Sequence, residues 1–277
     1  MIGQVNLQSR IEQMISDGTF PRFSILVGPK GSGKKTLAHW IYQKLGAGTF
    51  INLGISVDTV RQCIIGSYRL LGTQAVYLFA DADNMSNAAK NALLKVTEEP
   101  PNEAYFIMTL EDENNTPETI RSRGTVFHMD RYTPTEIGEY YSDNYFNEDD
   151  ACWGSREAII KKLCETPGEV DILSKDVLLF YDFVQLVVDN IAEVQLANAF
   201  KISEKIALKD GAEGYDLKLF WKAFYTICGD RLFINLEQKY FEPMGITNKY
   251  LQKLRIKGIN RQMLFDNWLL EIREVWK

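Results

Sequence analysis

At 277 residues the chain has room for about two domains. Its 45% apolar and 25% charged content is that of an ordinary folded protein, and no stretch approaches the roughly 18 apolar residues of a membrane span. The net charge of −6 excludes a protein that coats nucleic acid with its whole surface, while allowing a local basic patch.

The start of the chain carries no basic segment followed by an apolar one, so no secretory signal is read there and a cytoplasmic location is expected. Residues 4–18 place Val5, Leu7, Ile11, Met14 and Ile15 at mostly helical spacing. Phe23–Val27 is apolar throughout, as a strand covered on both faces is. Glycines follow, and Lys35–Leu45 then shows helical spacing. Residues 57–65 form a further short helix. Gln74–Ala80, Ala104–Leu110 and Thr125–Met129 are predicted strands, with helices at Ser86–Glu98 and Pro117–Arg123 between them. Pro100 and Pro101 stop the first of these helices. Strands that alternate with helices imply an α/β core with a parallel sheet. Beyond Asp130 the pattern becomes helical: short helices over 131–175, then amphipathic stretches at Val177–Ile191, Glu193–Ala207, Tyr215–Gly229 and Arg261–Lys277, with no convincing strand. The boundaries read as 1–130 for a P-loop core, 131–175 for a small helical lid and 176–277 for an all-α domain.

The four cysteines, Cys63, Cys152, Cys164 and Cys228, lack metal-ligand spacing and read as buried structural thiols; no zinc site is expected. His39 and His128 are isolated and read as structural. Lys249, Lys253, Arg255, Lys257 and Arg261 form a candidate basic patch, for which a solvated helix face or loop is the plainer reading.

The chemistry concentrates at Gly28-Pro29-Lys30-Gly31-Ser32-Gly33-Lys34-Lys35-Thr36, set between a predicted strand and a predicted helix. Glycines let backbone N–H groups turn around an anion, and the helix adds its positive end. Gly28, Gly31, Ser32, Gly33 and Lys34 are therefore candidates for holding the phosphates of ATP or ADP, against the alternative of a glycine-rich turn with no ligand. The motif ordinarily continues with a hydroxyl that helps to hold Mg²⁺. Lys35 stands there instead, and Thr36 lies roughly 100° further round the helix. The second predicted strand should end in an acidic pair, but reads Phe79-Ala80-Asp81-Ala82-Asp83. With Ala80 at the metal position only Asp81 remains; with Asp81 there, Ala82 stands where the catalytic acid belongs. Asp81 and Asp83 read equally well as turn or capping residues. Nucleotide binding, weak or otherwise, is expected, with Mg²⁺ chemistry impaired.

The stretch Ala88–Pro101 (AAKNALLKVTEEPP) resembles the "aaNaLLKtLEEPP" segment of bacterial clamp-loader subunits, AAA+ proteins of the DNA polymerase III holoenzyme. Ile2-Gly3-Gln4 is similar to their "(V/I)GQ" box, Ser56–Arg61 to "I-x-V-D-x-I-R", and Pro117–Arg123 (PETIRSR) to "LPxTIxSRC". The resemblance runs through residues 1–175. It implies that Arg123 acts in trans on the γ-phosphate held by a neighbouring subunit, a role suited to a planar, permanently charged guanidinium; the plainer reading is a surface salt bridge. It also implies a helical collar over the last hundred residues. Gly124 stands where the family usually has Cys, Val170 where the lid arginine belongs, and the four-cysteine zinc module of gamma-type subunits is absent. The polar sensor residue after the third predicted strand falls at Thr109, Leu110 or Glu111. Residues serving the chain's own hydrolysis are eroded and Arg123 is kept, as in a delta-prime-type subunit. Implied partners are gamma/tau-type and delta-type subunits, the sliding clamp and primed DNA, with no membrane. Two other readings stand: an active gamma-like ATPase using Thr36 and Asp81, and a non-enzymatic DNA-binding or scaffold protein on the same fold.

Overall fold

The computed structural model describes residues 3–276 except 69–72, 102, 149, 192, 194–199, 210–212, 235 and 257. The chain divides into two compact units, residues 1–136 with 166–168, and residues 137–165 with 169–277.

In the first unit the elements run α1 (Val5–Ser16), β1 (Phe23–Val27), α2 (Lys34–Leu45), β2 (Thr49–Leu53), α3 (Val57–Ser67), β3 (Ala75–Phe79), α4 (Asn87–Glu98), β4 (Ala104–Leu110), α5 (Glu118–Arg121) and β5 (Thr125–His128). Among the described residues these strands form one parallel sheet in the order β2-β3-β4-β1-β5. β1, β3 and β4 are buried along their whole length, which is why they read as continuous apolar runs. Their alternate residues feed two separate cores. Phe23, Ile25, Tyr77, Phe79, Phe106 and Met108 face Val60, Leu93 and Ile120 of α3, α4 and α5. Leu26, Val76, Leu78 and Ile107 face Ile11, Leu37 and Ile41 of α1 and α2. Helix starts follow local capping chemistry: Ser56 accepts from the Thr59 N–H and Ser86 from the Ala89 N–H.

β2 is an addition to the elements expected from the sequence. It lies at the sheet edge, where Phe50, Ile51 and Leu53 are only partly buried, so it lacks the apolar continuity of the inner strands. Gly124 is dictated by packing: a Cβ there would stand 2.8 Å from Cδ1 of Phe23 and 3.1 Å from Cδ1 of Ile25, both in the core.

The second unit contains the rest of α6 (Pro134–Tyr145), α7 (Trp153–Leu163), most of α8 (Pro167–Leu173), and α9 (Val177–Asn190), α10 (Leu217–Phe233), α11 (Phe241–Lys253) and α12 (Arg261–Val275). Trp268 packs edge-on against Phe220 and Phe224, with ring centroids at 5.6 and 5.0 Å. Its indole N–H donates to Thr247 Oγ1 at 3.1 Å, so the buried polar edge is satisfied. Two features depart from the all-helical expectation. Ile206–Ala207 (β6) and Tyr215–Asp216 (β7) form a short parallel pair, and α11 was not expected as a helix. Pro243 sits in the first turn of α11, where its missing N–H costs nothing, and Thr247 interrupts the apolar stripe. Most of the helix expected over Glu193–Ala207 lies outside the described residues, and residues 200–205 form a 3-10 turn.

Glu169 is a buried acid in this unit. Its carboxylate takes Lys218 at 2.7 Å and Lys222 at 3.0 Å, and the Glu165 N–H at 2.8 Å. Burial disfavours the anion, but Lys222, the Glu165 N–H and Lys218 outweigh it and hold the carboxyl below its ordinary 4.5. A lowered folded value means that this contribution is complete above the unfolded value and is lost as pH falls through the folded one. Glu169→Gln should cost about 3 kcal/mol near neutral pH. Its stability, read by urea titration, should fall less steeply than that of the parent below pH 4.5. Gly124→Cys, which restores the residue usual in the resembling family, should lower stability by about 1–3 kcal/mol through overpacking, read as a lower urea midpoint.

Candidate functional site

β1 delivers the chain into the loop Gly28–Gly33 at its carboxyl end, and α2 begins at Lys34. Ligands of open parallel sheets sit outside the carboxyl ends of the strands, and the loops after β1, β3 and β4 meet there. The loop is held by close backbone contacts. Gly28 donates its N–H to the Leu110 carbonyl at 3.1 Å, and a Cβ on Gly28 would lie 2.7 Å from Met129 and 3.0 Å from Ser32 Oγ. Gly31 adopts φ +79 and Gly33 φ +86, conformations that glycine enters without strain. Gly31 accepts the Gly168 N–H at 3.0 Å, and a Cβ on Gly168 would lie 2.6 Å from the Gly31 Cα. Thr166 Oγ1 donates to the Lys30 carbonyl at 3.3 Å. The Thr166-Pro167-Gly168 segment thus buttresses the loop, and only a residue without a side chain at 168 lets this backbone rest there.

Lys34 is buried, and its ammonium donates to the Gly28 carbonyl at 2.6 Å and the Pro29 carbonyl at 2.8 Å. Burial lowers its pKa; Glu111, Asp81 and Asp83 act in the opposite direction and Lys35 with burial. Ser32 Oγ is buried and has no partner. Lys35, at the hydroxyl position of the motif, reaches across to Asp81, with Nζ 2.7 Å from Oδ2. Thr36 is exposed. Asp81 has φ 55 and donates its N–H to Thr109 Oγ1 at 2.9 Å. Thr109, the buried polar residue near the end of β4, therefore lies beside the acidic turn, one of the three sensor positions read from the sequence. Asp83 organises the loop after β4. Its carboxylate accepts from the Glu111 N–H at 2.7 Å, the Asp112 N–H at 3.3 Å and Asn115 Nδ2 at 3.0 Å.

Gln4, in the box at the start of the chain, and Tyr132, outside every motif, also support the loop. The amide of Gln4 exchanges two hydrogen bonds with the backbone of Asp130, at 2.8 and 2.7 Å. Tyr132 then donates its hydroxyl to the Ser32 carbonyl at 2.8 Å, so the chain just after β5 steadies the loop. Ile2 of that box lies outside the described residues.

Arg123 lies away from the loop. Gly124 packs on Phe23, and the next residue, Thr125, pairs with Ser24, so Arg123 sits beside the amino end of β1 while the loop leaves its carboxyl end. The guanidinium is exposed: Nε donates to Glu98 Oε1 at 2.9 Å, Nη2 to the same oxygen, and Nη1 to the Thr119 carbonyl. Glu98 belongs to the Thr97-Glu98-Glu99-Pro100-Pro101 run.

The other candidates are dispersed. Val170 is fully buried. Lys249 pairs with Glu271 at 2.7 Å and Lys253 lies over the Tyr250 ring at 4.6 Å, while Arg255 is exposed and Lys257 lies outside the described residues. Cys63, Cys164 and Cys228 are buried, with thiols pushed up to about 12 by burial, but Cys152, just ahead of α7, is exposed. Among the described residues no three His, Cys, Asp or Glu side chains converge as a metal cluster, and no helix is long and apolar enough to cross a membrane.

Residues 51–133 match the family model described as "DNA polymerase III, delta subunit". The chain is 27% identical over 173 residues to DNA polymerase III subunit gamma of Buchnera aphidicola, across 50% of this chain and 47% of that protein. It is 32% identical over 119 residues to subunit delta′ of Escherichia coli, across 42% of this chain and 30% of that protein. The chain thus spans less than half the length of these curated relatives. A DNA polymerase III gamma subunit-related protein from Thermotoga maritima shares the fold, with a TM-score of 0.51 at 14% identity, over 97% of this chain and 99% of that one. Together with the P-loop and the parallel sheet, these matches make the chain similar to the clamp-loader AAA+ subunits of the gamma, tau and delta-prime type.

Proposed function

We propose that this chain is a delta-prime-like subunit of a DNA polymerase III clamp loader: it helps to organise the loader ring and donates Arg123 to a neighbouring subunit's nucleotide during sliding-clamp loading. The observation that carries this reading is the separation of the two chemistries along β1. Four residue steps at about 3.3 Å put the arginine end roughly 13 Å from the start of the loop, before the loop's own depth is added. A guanidinium there is badly placed for its own phosphate cradle, and its exposure is what a role toward another chain's cradle requires. Its present partners are weak restraints, because an exposed arginine–carboxylate pair is worth about 0.2–1 kcal/mol, so exchange for a phosphate is inexpensive. The chain's own site supports the same division: Lys35 fills the hydroxyl position, Asp83 is occupied by its loop and Val170 is buried.

In this reading the partners are gamma/tau-type and delta-type subunits, with the sliding clamp and primed DNA engaged by the assembly, in the cytoplasm. Mixing the chain with its cognate partners, clamp and primed DNA should raise ATP turnover, and Arg123→Ala should remove the increase. Arg123→Lys should not restore it, since an ammonium lacks the planar fork. Stimulated turnover that survives Arg123→Ala would refute the trans role.

A second reading, an active gamma-like ATPase, is favoured by the match to gamma and tau subunits over half of this chain. It requires the isolated chain to hydrolyse ATP at about 0.1–1 s⁻¹ or faster, with loss of that turnover in Lys34→Ala. The delta-prime-like reading predicts turnover below that range for the isolated chain.

A further inference from the structure

P-loop folds ordinarily take their nucleotide with Mg²⁺, and the residues here do not fit that ion. Mg²⁺ demands a near-octahedral set of oxygens at about 2.0–2.1 Å. The side chain that should supply the first protein oxygen is Lys35, whose ammonium sits 2.7 Å from Asp81 Oδ2. Ala80 offers no ligand, and both oxygens of Asp83 are engaged by Glu111, Asp112 and Asn115. A divalent ion entering this place would have to displace an ammonium from its carboxylate and then share the space with it.

The phosphate cradle itself is kept. Gly31 and Gly33 hold their left-handed turns, and Lys34 is buried against two neutral carbonyls that a phosphate oxygen can replace as acceptor. Ser32 Oγ is 1% exposed as a residue, has no partner, and lies 3.0 Å from the point where a side chain on Gly28 would begin. A buried hydroxyl without a partner is destabilising, so this one is available to a ligand oxygen that enters the loop. The Asp81 N–H donates to Thr109 Oγ1, which anchors the turn that presents its carboxylate to Lys35.

We propose that this loop is a metal-independent pyrophosphate site in which Lys35, held by Asp81, is the resident cation. This rests on the reading of Gly28–Lys34 as a nucleotide cradle. The ligand is the pyrophosphate moiety in its metal-free form, carried by a nucleoside diphosphate or by inorganic pyrophosphate. Added Mg²⁺ withdraws that ligand into a complex that sets the metal's own charge against Lys35, so it does not strengthen binding.

The test is calorimetric titration of the full chain with ADP and, separately, with inorganic pyrophosphate, each in EDTA and in excess Mg²⁺. The parent should bind in EDTA and bind no better, or more weakly, in Mg²⁺. Lys34→Ala should abolish binding. Lys35→Thr, at an exposed position that tolerates the change, should reverse the dependence and bind about tenfold more tightly with Mg²⁺ than without it. Binding of both ligands, or of ADP alone, distinguishes a phosphate site from a nucleotide site and supports metal independence either way. A parent chain that binds more tightly with Mg²⁺ would overturn the resident-cation assignment while leaving the cradle intact. Absence of binding by both the parent and Lys35→Thr, in either buffer and with either ligand, would overturn the cradle and this inference together.

Discussion

The first unit depends on β1 being paired on both edges and covered on both faces. Parallel pairing with β4 and β5 uses its backbone groups, and two apolar layers use its side chains. Each end of the strand then has a consequence. At the amino end Phe23 comes so close to the turn before β5 that residue 124 can carry no side chain. At the carboxyl end the strand hands over to a loop whose glycines are pressed against Met129 and Gly168. The arginine segment and the phosphate loop are therefore fixed relative to each other by a single stiff element, and neither can drift toward the other.

The loop and its surroundings show how one substitution reorganises a site. Lys35 turns an exposed acid into an ion-pair partner, and the acid's own backbone is tied to a buried threonine. Asp83, chemically the same as Asp81 and two residues away, does unrelated work as a bracket for the loop after β4. Equal side chains acquire different roles because one faces an ammonium and the other faces backbone N–H groups.

The sequence was most legible where burial is complete. β1, β3 and β4 stand out as unbroken apolar runs, and the helices between them carry serine caps or end at prolines. Legibility fell where burial is partial: β2 is an edge strand, and the stripe of α11 is interrupted by Thr247. Lys35 announced the loss of the metal hydroxyl by residue type alone, but its pairing with Asp81 depends on two loops that meet only in the folded sheet. Gly124 read as a departure from a family pattern, and Phe23, 101 positions earlier, supplies the reason. The link from Gln4 to Asp130 was equally hidden, because a polar residue at a helix start says nothing about a partner 126 residues away.

The strand order also constrains how the chain comes to be folded during synthesis. β1 is made early, but its neighbours are Phe106–Leu110 of β4 and Thr125–His128 of β5, far downstream. At about 5–20 residues per second, the apolar segment Phe-Ser-Ile-Leu-Val waits several seconds for either edge to be covered. Such a segment, unpaired and without charge or proline, is the kind that associates with copies of itself. An inner strand of the finished sheet is thus a hazard in the nascent chain, and the interval before β4 emerges is when a chaperone has this segment to protect.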